Sequence, residues 1–169
     1  MTGVLSISTN FKNTILTTFK RDIEQEIRAS SDSVAADMVL FNDGQAARVE
    51  VLLEAARQVD GNGAGYLQPV AVALELLELG VKKQFGPGRP AGKYGSAGAN
   101  LTLITADRYY ARALELVVSL GDDRYVACLC DALALVSEAC AYPEAPGAGA
   151  KREAFRRAAE TLGRLTGEK

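Results

Sequence analysis

A chain of 169 residues with a net charge of -2 lacks the positive field that a general nucleic-acid binder needs. Its 48% hydrophobic content is enough for one core, yet no apolar run approaches the ~20 residues that span a bilayer. It contains no histidine, which removes the commonest general base, the commonest zinc ligand and every Ser-His or Cys-His nucleophile pair.

One domain over residues 1–169 is expected from this length. The opening MTGVLSISTNFKNTIL has no basic start followed by a continuous apolar stretch, so it does not read as a secretory signal. A cytoplasmic protein is expected, with no nucleic-acid partner and no stable membrane insertion.

A first helix is predicted from about Thr9 to Ala29, where Phe11, Ile15, Leu16, Phe19, Ile23 and Ile27 repeat at helical spacing. Ser30-Ser31-Asp32-Ser33 stops it and caps a short segment from Val34 to Phe41. A longer helix follows from Gln45 to Val59, with Val49, Leu52, Leu53 and Ala56 inward, ending in the glycine loop Asp60 to Gly65. The next is expected to begin near Gln68-Pro69, with proline in the first turn, and to bury Val70, Leu74, Leu77 and Val81.

Phe85 to Asn100 is the least helical stretch, with five glycines and two prolines. It is also one-sided in charge. From Leu79 through Ala106 no acid occurs, while Lys82, Lys83, Arg89 and Lys93 supply four positive charges. A loop of this kind can hold a phosphate or be a solvated connection, and composition favours the second.

Asn100 to Ala141 reads as two long helices back to back. Asn100 is the expected N-cap, Gly121 the stop, and Asp122 the cap of the second helix. So short a connection predicts an adjacent antiparallel pair. Arg108, Arg112, Glu115 and Ser119 form one polar strip on the first helix, and the remaining circumference is expected to be covered. Cys128 and Cys130 lie about 200° apart around the helix axis and, with Cys140, read as small apolar filler. A linker from Tyr142 to Gly149 leads to a last helix, Lys151 to Leu165 (residues 151–165). There Phe155, Ala158, Ala159, Leu162 and Leu165 share a face away from Arg152, Arg156, Arg157 and Arg164. No strand-period segment or repeat is found. The expected fold is all-α, a bundle of six or seven mostly antiparallel helices.

Chemistry is hard to assemble from these residues. Glu75 and Glu78 form a helical i, i+3 pair of the kind that holds metals in bundle cores, but a Glu-x-x-His companion is impossible without histidine. The glycine loops fit neither GxxxxGK[ST] nor GxGxxG. The residues by themselves indicate a binding or structural subunit with no catalytic residue, metal or cofactor of its own.

Several segments in order carry a resemblance. Ser31-Asp32-Ser33 opens an alanine-rich helix; Gly44-Gln45-Ala46-Ala47-Arg48-Val49 falls in place of GKxxRP; Ala73 to Leu77 leads toward a DDxxD position. Gly88-Arg89-Pro90, Lys93-Tyr94-Gly95 and Ala106-Asp107-Arg108-Tyr109-Tyr110-Ala111-Arg112-Ala113 follow. Over about residues 30–141 the chain resembles the N-terminal half of the all-α polyprenyl diphosphate synthases, so the bundle is expected to be a truncated form of the isoprenoid-synthase fold. The departures matter as much as the matches. Where that family carries DDxxD, this chain reads Val81-Lys82-Lys83-Gln84-Phe85-Gly86, and of the GKxxRP charges only Arg48 remains. The second aspartate-rich motif has no counterpart in the 169 residues. Lysines cannot ligate the Mg²⁺ ions that clamp an allylic diphosphate.

A short chain without aspartate motifs is similar to the small subunit of heteromeric long-chain synthases, the hexaprenyl and heptaprenyl enzymes of quinone (menaquinone) side-chain biosynthesis. The resemblance implies a non-catalytic subunit that a large, DDxxD-bearing, Mg²⁺-dependent partner needs for activity and product length. It implies a heterodimer interface on the Asn100–Ala141 helices, with Asp107, Tyr109, Tyr110, Ala113, Leu114, Val117, Tyr125 and Leu129 facing the partner. Arg48, Lys82, Lys83, Arg89 and Lys93 are the candidate diphosphate contacts. Two other readings stand beside it: a helical adaptor or regulatory protein that kept the ancestry, and an enzyme binding diphosphate through those cations without metal.

Overall fold

The computed structural model describes residues 64–86, 97–141 and 147–169, with isolated helical positions at Arg21, Gln25, Val51 and Glu54. Among the described residues there are four helices and no strand: α1 (Ala64–Phe85), α2 (Ala97–Val118), α3 (Asp123–Ala141) and α4 (Gly147–Gly167). Apart from the isolated positions, the helices expected over 9–29, 34–41 and 45–59 lie outside the described residues, as does most of the basic stretch.

α1 is the innermost of the four. Val70, Leu74, Leu77 and Val81 are buried as expected, and so is every residue from Val70 to Leu77, Glu75 included. A helix covered on all sides needs no polar face, and VAVALELL supplies almost none. The Asn100–Ala141 pair, expected to be the element most in need of cover, packs against this centre instead, chiefly through α2. α1 also starts earlier than expected, so Pro69 sits in its second turn. Proline there withholds one bond, from the carbonyl of Gly65. Gly65 is exposed, so water can satisfy that carbonyl.

α2 begins at Ala97, which places Asn100 inside the helix, exposed, and not at its cap. Ala106, Tyr109, Ala113 and Val117 make its buried face. Arg108, Glu115 and Ser119 lie outside and Arg112 is half-buried, with Arg112 paired to Glu115 at 2.7 Å. The stop and restart are as predicted. Gly121 takes φ +70°, a left-handed conformation that suits glycine. The Asp122 carboxylate then accepts the N–H of Arg124 at 3.0 Å in the first turn of α3. Ahead of it the chain tightens: the N–H groups of Leu120 and Gly121 donate to the carbonyls of Val117 and Val118, both at 3.1 Å.

The expected antiparallel hairpin of α2 on α3 is not the main packing. α1 packs most extensively along α2, and α3 along α4; α2 and α3 touch each other much less. The short connection makes them neighbours in sequence, but the direction of each apolar face decides what it packs against. The Tyr110 hydroxyl donates to Gln84 Oε1 at 2.8 Å, and a Cβ on Gly80 would collide with the Tyr110 ring, so α1 and α2 lie close there. α3 turns Tyr125, Leu129, Ala132 and Val136 into the same core as Phe155, Ala158, Ala159, Leu162 and Leu165 of α4. The Cys128 Sγ lies 3.7 Å from the Ala158 carbonyl. α4 starts at Gly147, before the predicted Lys151, and its inward and outward faces are those the spacing predicts. Among the described residues no helix is long and apolar enough to cross a membrane.

Candidate functional site

Of the five cations proposed for diphosphate, Arg48, Arg89 and Lys93 lie outside the described residues. Lys82 and Lys83 stand in the last turn of α1. Lys82 Nζ is 3.1 Å from Glu78 Oε1, and the carbonyl of Lys82 accepts the N–H of Gly86 at 2.8 Å. A helix C-terminus presents carbonyl oxygens and a partial negative charge. Lysines there complement the helix itself; an anion would meet those carbonyls as well as the ammonium groups. Glu75 and Glu78, the metal-binding candidates, are separated in role: Glu75 is buried, while Glu78 pairs with Lys82. Among the described residues no group of three or more carboxylate or thiol side chains is placed to hold a metal ion.

The densest polar arrangement lies at the other end of α1, where three helix ends meet. Asp122 accepts from Arg124 Nη2 at 2.8 Å and pairs with Lys169 Nζ at 3.0 Å. Arg124 also reaches Glu168 at 2.6 Å. Beneath them the Tyr125 hydroxyl donates to Thr166 Oγ1 at 3.4 Å, and Thr166 in turn donates to the Leu162 carbonyl at 2.8 Å. Tyr66 of α1 stacks on Tyr125 with centroids 6.4 Å apart, and Lys169 lies over the Tyr66 ring. The hydrogen bonds from Arg124, then Lys169, hold the Asp122 carboxyl well below its ordinary range. These charges pair with one another and fasten the start of α3 to the end of α4.

The expected interface residues divide sharply. Tyr109, Ala113, Val117, Tyr125 and Leu129 are buried in the core of this chain, so they do not present a surface to another. Tyr110 and Leu114 are half-buried, and Asp107 is exposed. Burial pushes the Tyr110 hydroxyl up, with the Asp107 charge adding to it. The apolar side chains left outside are others: Ile104 at 64% exposure, Val118 at 59% and Leu135 at 49%. Ile104 and Val118 lie on the same strip of α2 as Arg108 and Glu115, a spacing present in the sequence that the charged residues mask. The cysteines also differ from the expected apolar filler. Cys128 is half-buried, burial lifting its thiol to about 11, but Cys130 is exposed.

The chain matches no family model, no curated protein and no solved structure.

Proposed function

We propose that this chain is a non-catalytic subunit of a heteromeric trans-polyprenyl diphosphate synthase, built as a truncated isoprenoid-synthase bundle of six or seven helices. The motif order over residues 30–141 supports the reading, together with lysines where the family carries its first metal-binding aspartates. The observation that carries the subunit role is the apolar surface left on α3, where Leu135 is exposed.

On α3 the exposed residues Ala127, Cys130, Ala134 and Ala141 form a small-residue strip, with Asp131 and Glu138 running between it and the exposed Leu135. Two copies meeting across this strip would set carboxylates against carboxylates, which costs free energy. The strip therefore suits a different chain with an apolar helix and a basic edge, and we assign that place to the catalytic subunit. That partner would supply both DDxxD motifs and the Mg²⁺. This chain would stiffen the wall of its elongation cavity and so set product length. Metal-free diphosphate binding by Lys82 and Lys83 is disfavoured by their place at a helix C-terminus.

The test is reconstitution. The chain alone is expected to give no prenyl product with or without Mg²⁺, and mixing with a DDxxD-bearing chain from the same genome should restore long-chain synthesis. Leu135→Asp should weaken co-purification while leaving the circular dichroism of this chain unchanged. If no such partner gains activity or changes product length, the prenyl-synthase role is wrong and the adaptor reading takes its place.

A further inference from the structure

The exposed face of α2 has a different character from that of α3. Ile104, Ala111 and Val118 follow at seven-residue spacing along one line, all exposed, directly opposite the buried line of Ala106, Tyr109, Ala113 and Val117. Two of the three large apolar side chains exposed among the described residues stand on this line. Arg108 and Glu115 flank it, both on the same edge, at about 40° and 20° from Ile104 around the axis. Asp107 lies on the opposite edge.

We infer that this seam pairs with α2 of a second copy of the chain, antiparallel, about a two-fold axis passing beside Ala111. The two-fold sets Ile104 of each copy against Val118 of the other and brings the two Ala111 residues together. It also keeps each edge facing its own counterpart. Arg108 lies three residues before Ala111 and Glu115 four after it. Across the axis they therefore come within about 1.5 Å of the same height. Each Arg108 meets the Glu115 of the other copy, and the ion pair forms twice, as an isologous contact requires. A parallel two-fold would turn the Arg108–Glu115 edge toward the Asp107 edge of the other copy, so the doubled Arg108–Glu115 pair forms only in the antiparallel arrangement. Alanine at the centre lets the backbones approach closely. Glu115 is 68% exposed despite its contact with Arg112, so it has room for a second guanidinium. A single-helix seam belongs with the smaller interfaces, so the dimer should dissociate on dilution.

The inference concerns this chain alone and does not depend on any prenyl-synthase partner. Sedimentation velocity of the purified full chain over a concentration series should show a monomer–dimer equilibrium. Arg108→Glu is expected to raise the dissociation constant at least about tenfold, and Arg108→Glu with Glu115→Arg to restore it. Both sites are exposed, and circular dichroism checks that each variant folds. As an independent measurement, Ala111→Cys with the three native cysteines changed to serine should form an intermolecular disulfide under mild oxidation. A monomer at every concentration overturns the proposal. So does a dimer that is indifferent to Arg108→Glu, or one that the charge swap fails to rescue.

Discussion

Gly80 is the point at which the α1–α2 contact is set, because a Cβ there would collide with the Tyr110 ring. Gly80→Ala should destabilise the chain by about 1–3 kcal/mol, the usual cost of overpacking. Urea unfolding measures it, and shortening the obstacle with Tyr110→Leu should return part of the loss. The cysteines differ at the same scale. Cys128 has its thiol near 11 and lies against the Ala158 carbonyl, whereas Cys130 is exposed. A thiol reagent at pH 8 should therefore modify Cys130 faster than the half-buried Cys128, whose thiolate is also the scarcer. Equal labelling of the two would contradict the packing of α3 on α4.

At the scale of the element, the start of α3 is fixed by one residue. Asp122 caps the helix, pairs with Arg124 and holds Lys169 at the far end of α4. Asp122→Asn keeps most of the cap and removes the charge, so its effect isolates the ion pairs. The variant should melt at a lower temperature at pH 7, and the difference should close in acid as the native carboxylate protonates. A difference of unchanged size from pH 7 down to pH 2 would mean that the cap, and not the charge, carries the effect. The outer face of α4 is of the other kind: Glu153 takes Arg156 and Arg157, and Arg156 also reaches Glu160. These pairs are exposed and solvated and contribute little.

The pH dependence of the whole molecule follows from the groups it shifts. With no histidine, no side chain of the sequence has its ordinary titration point between about pH 5 and 8. Asp122 is held low by Arg124 and Lys169, and Glu153 is lowered to about 2 by Arg156 and Arg157. Groups with depressed folded values stabilise above the unfolded carboxylate range, near pH 4, and lose that contribution as pH falls toward the folded value. Cys128 shifts the opposite way, raised to about 11 by burial. Its contribution is complete below about pH 8.5, the unfolded thiol value, and is lost as pH rises toward 11. Thermal melting from pH 2 to 11 should fall off at both ends. Cys128→Ser should reduce the part of the alkaline loss that begins near pH 8.5, while Tyr109, Tyr110 and Tyr125, also raised by burial, add theirs from about pH 10. An alkaline shoulder that Cys128→Ser leaves unchanged would contradict the burial of that thiol.

The sequence by itself determined which side chains share a face along one helix. The inward sets Val70-Leu74-Leu77-Val81 and Phe155-Ala158-Ala159-Leu162-Leu165 were readable from spacing, because 3.6 residues per turn fixes which side chains share a face. The Gly121–Asp122 break was readable because a left-handed residue followed by a capping carboxylate is local chemistry. Helix starts were less legible, since Ala64 and Ala97 are small residues that carry no capping side chain and Gly147 reads as a loop residue. Only the tertiary structure decided which faces meet. Spacing shows that Val117 and Leu129 point one way, but not whether that way is toward this chain's own core or another's. They point inward because α1 and α4 stand there to receive them. That choice buried most of the expected interface and left Ile104, Val118 and Leu135 outside, where any partner must be sought.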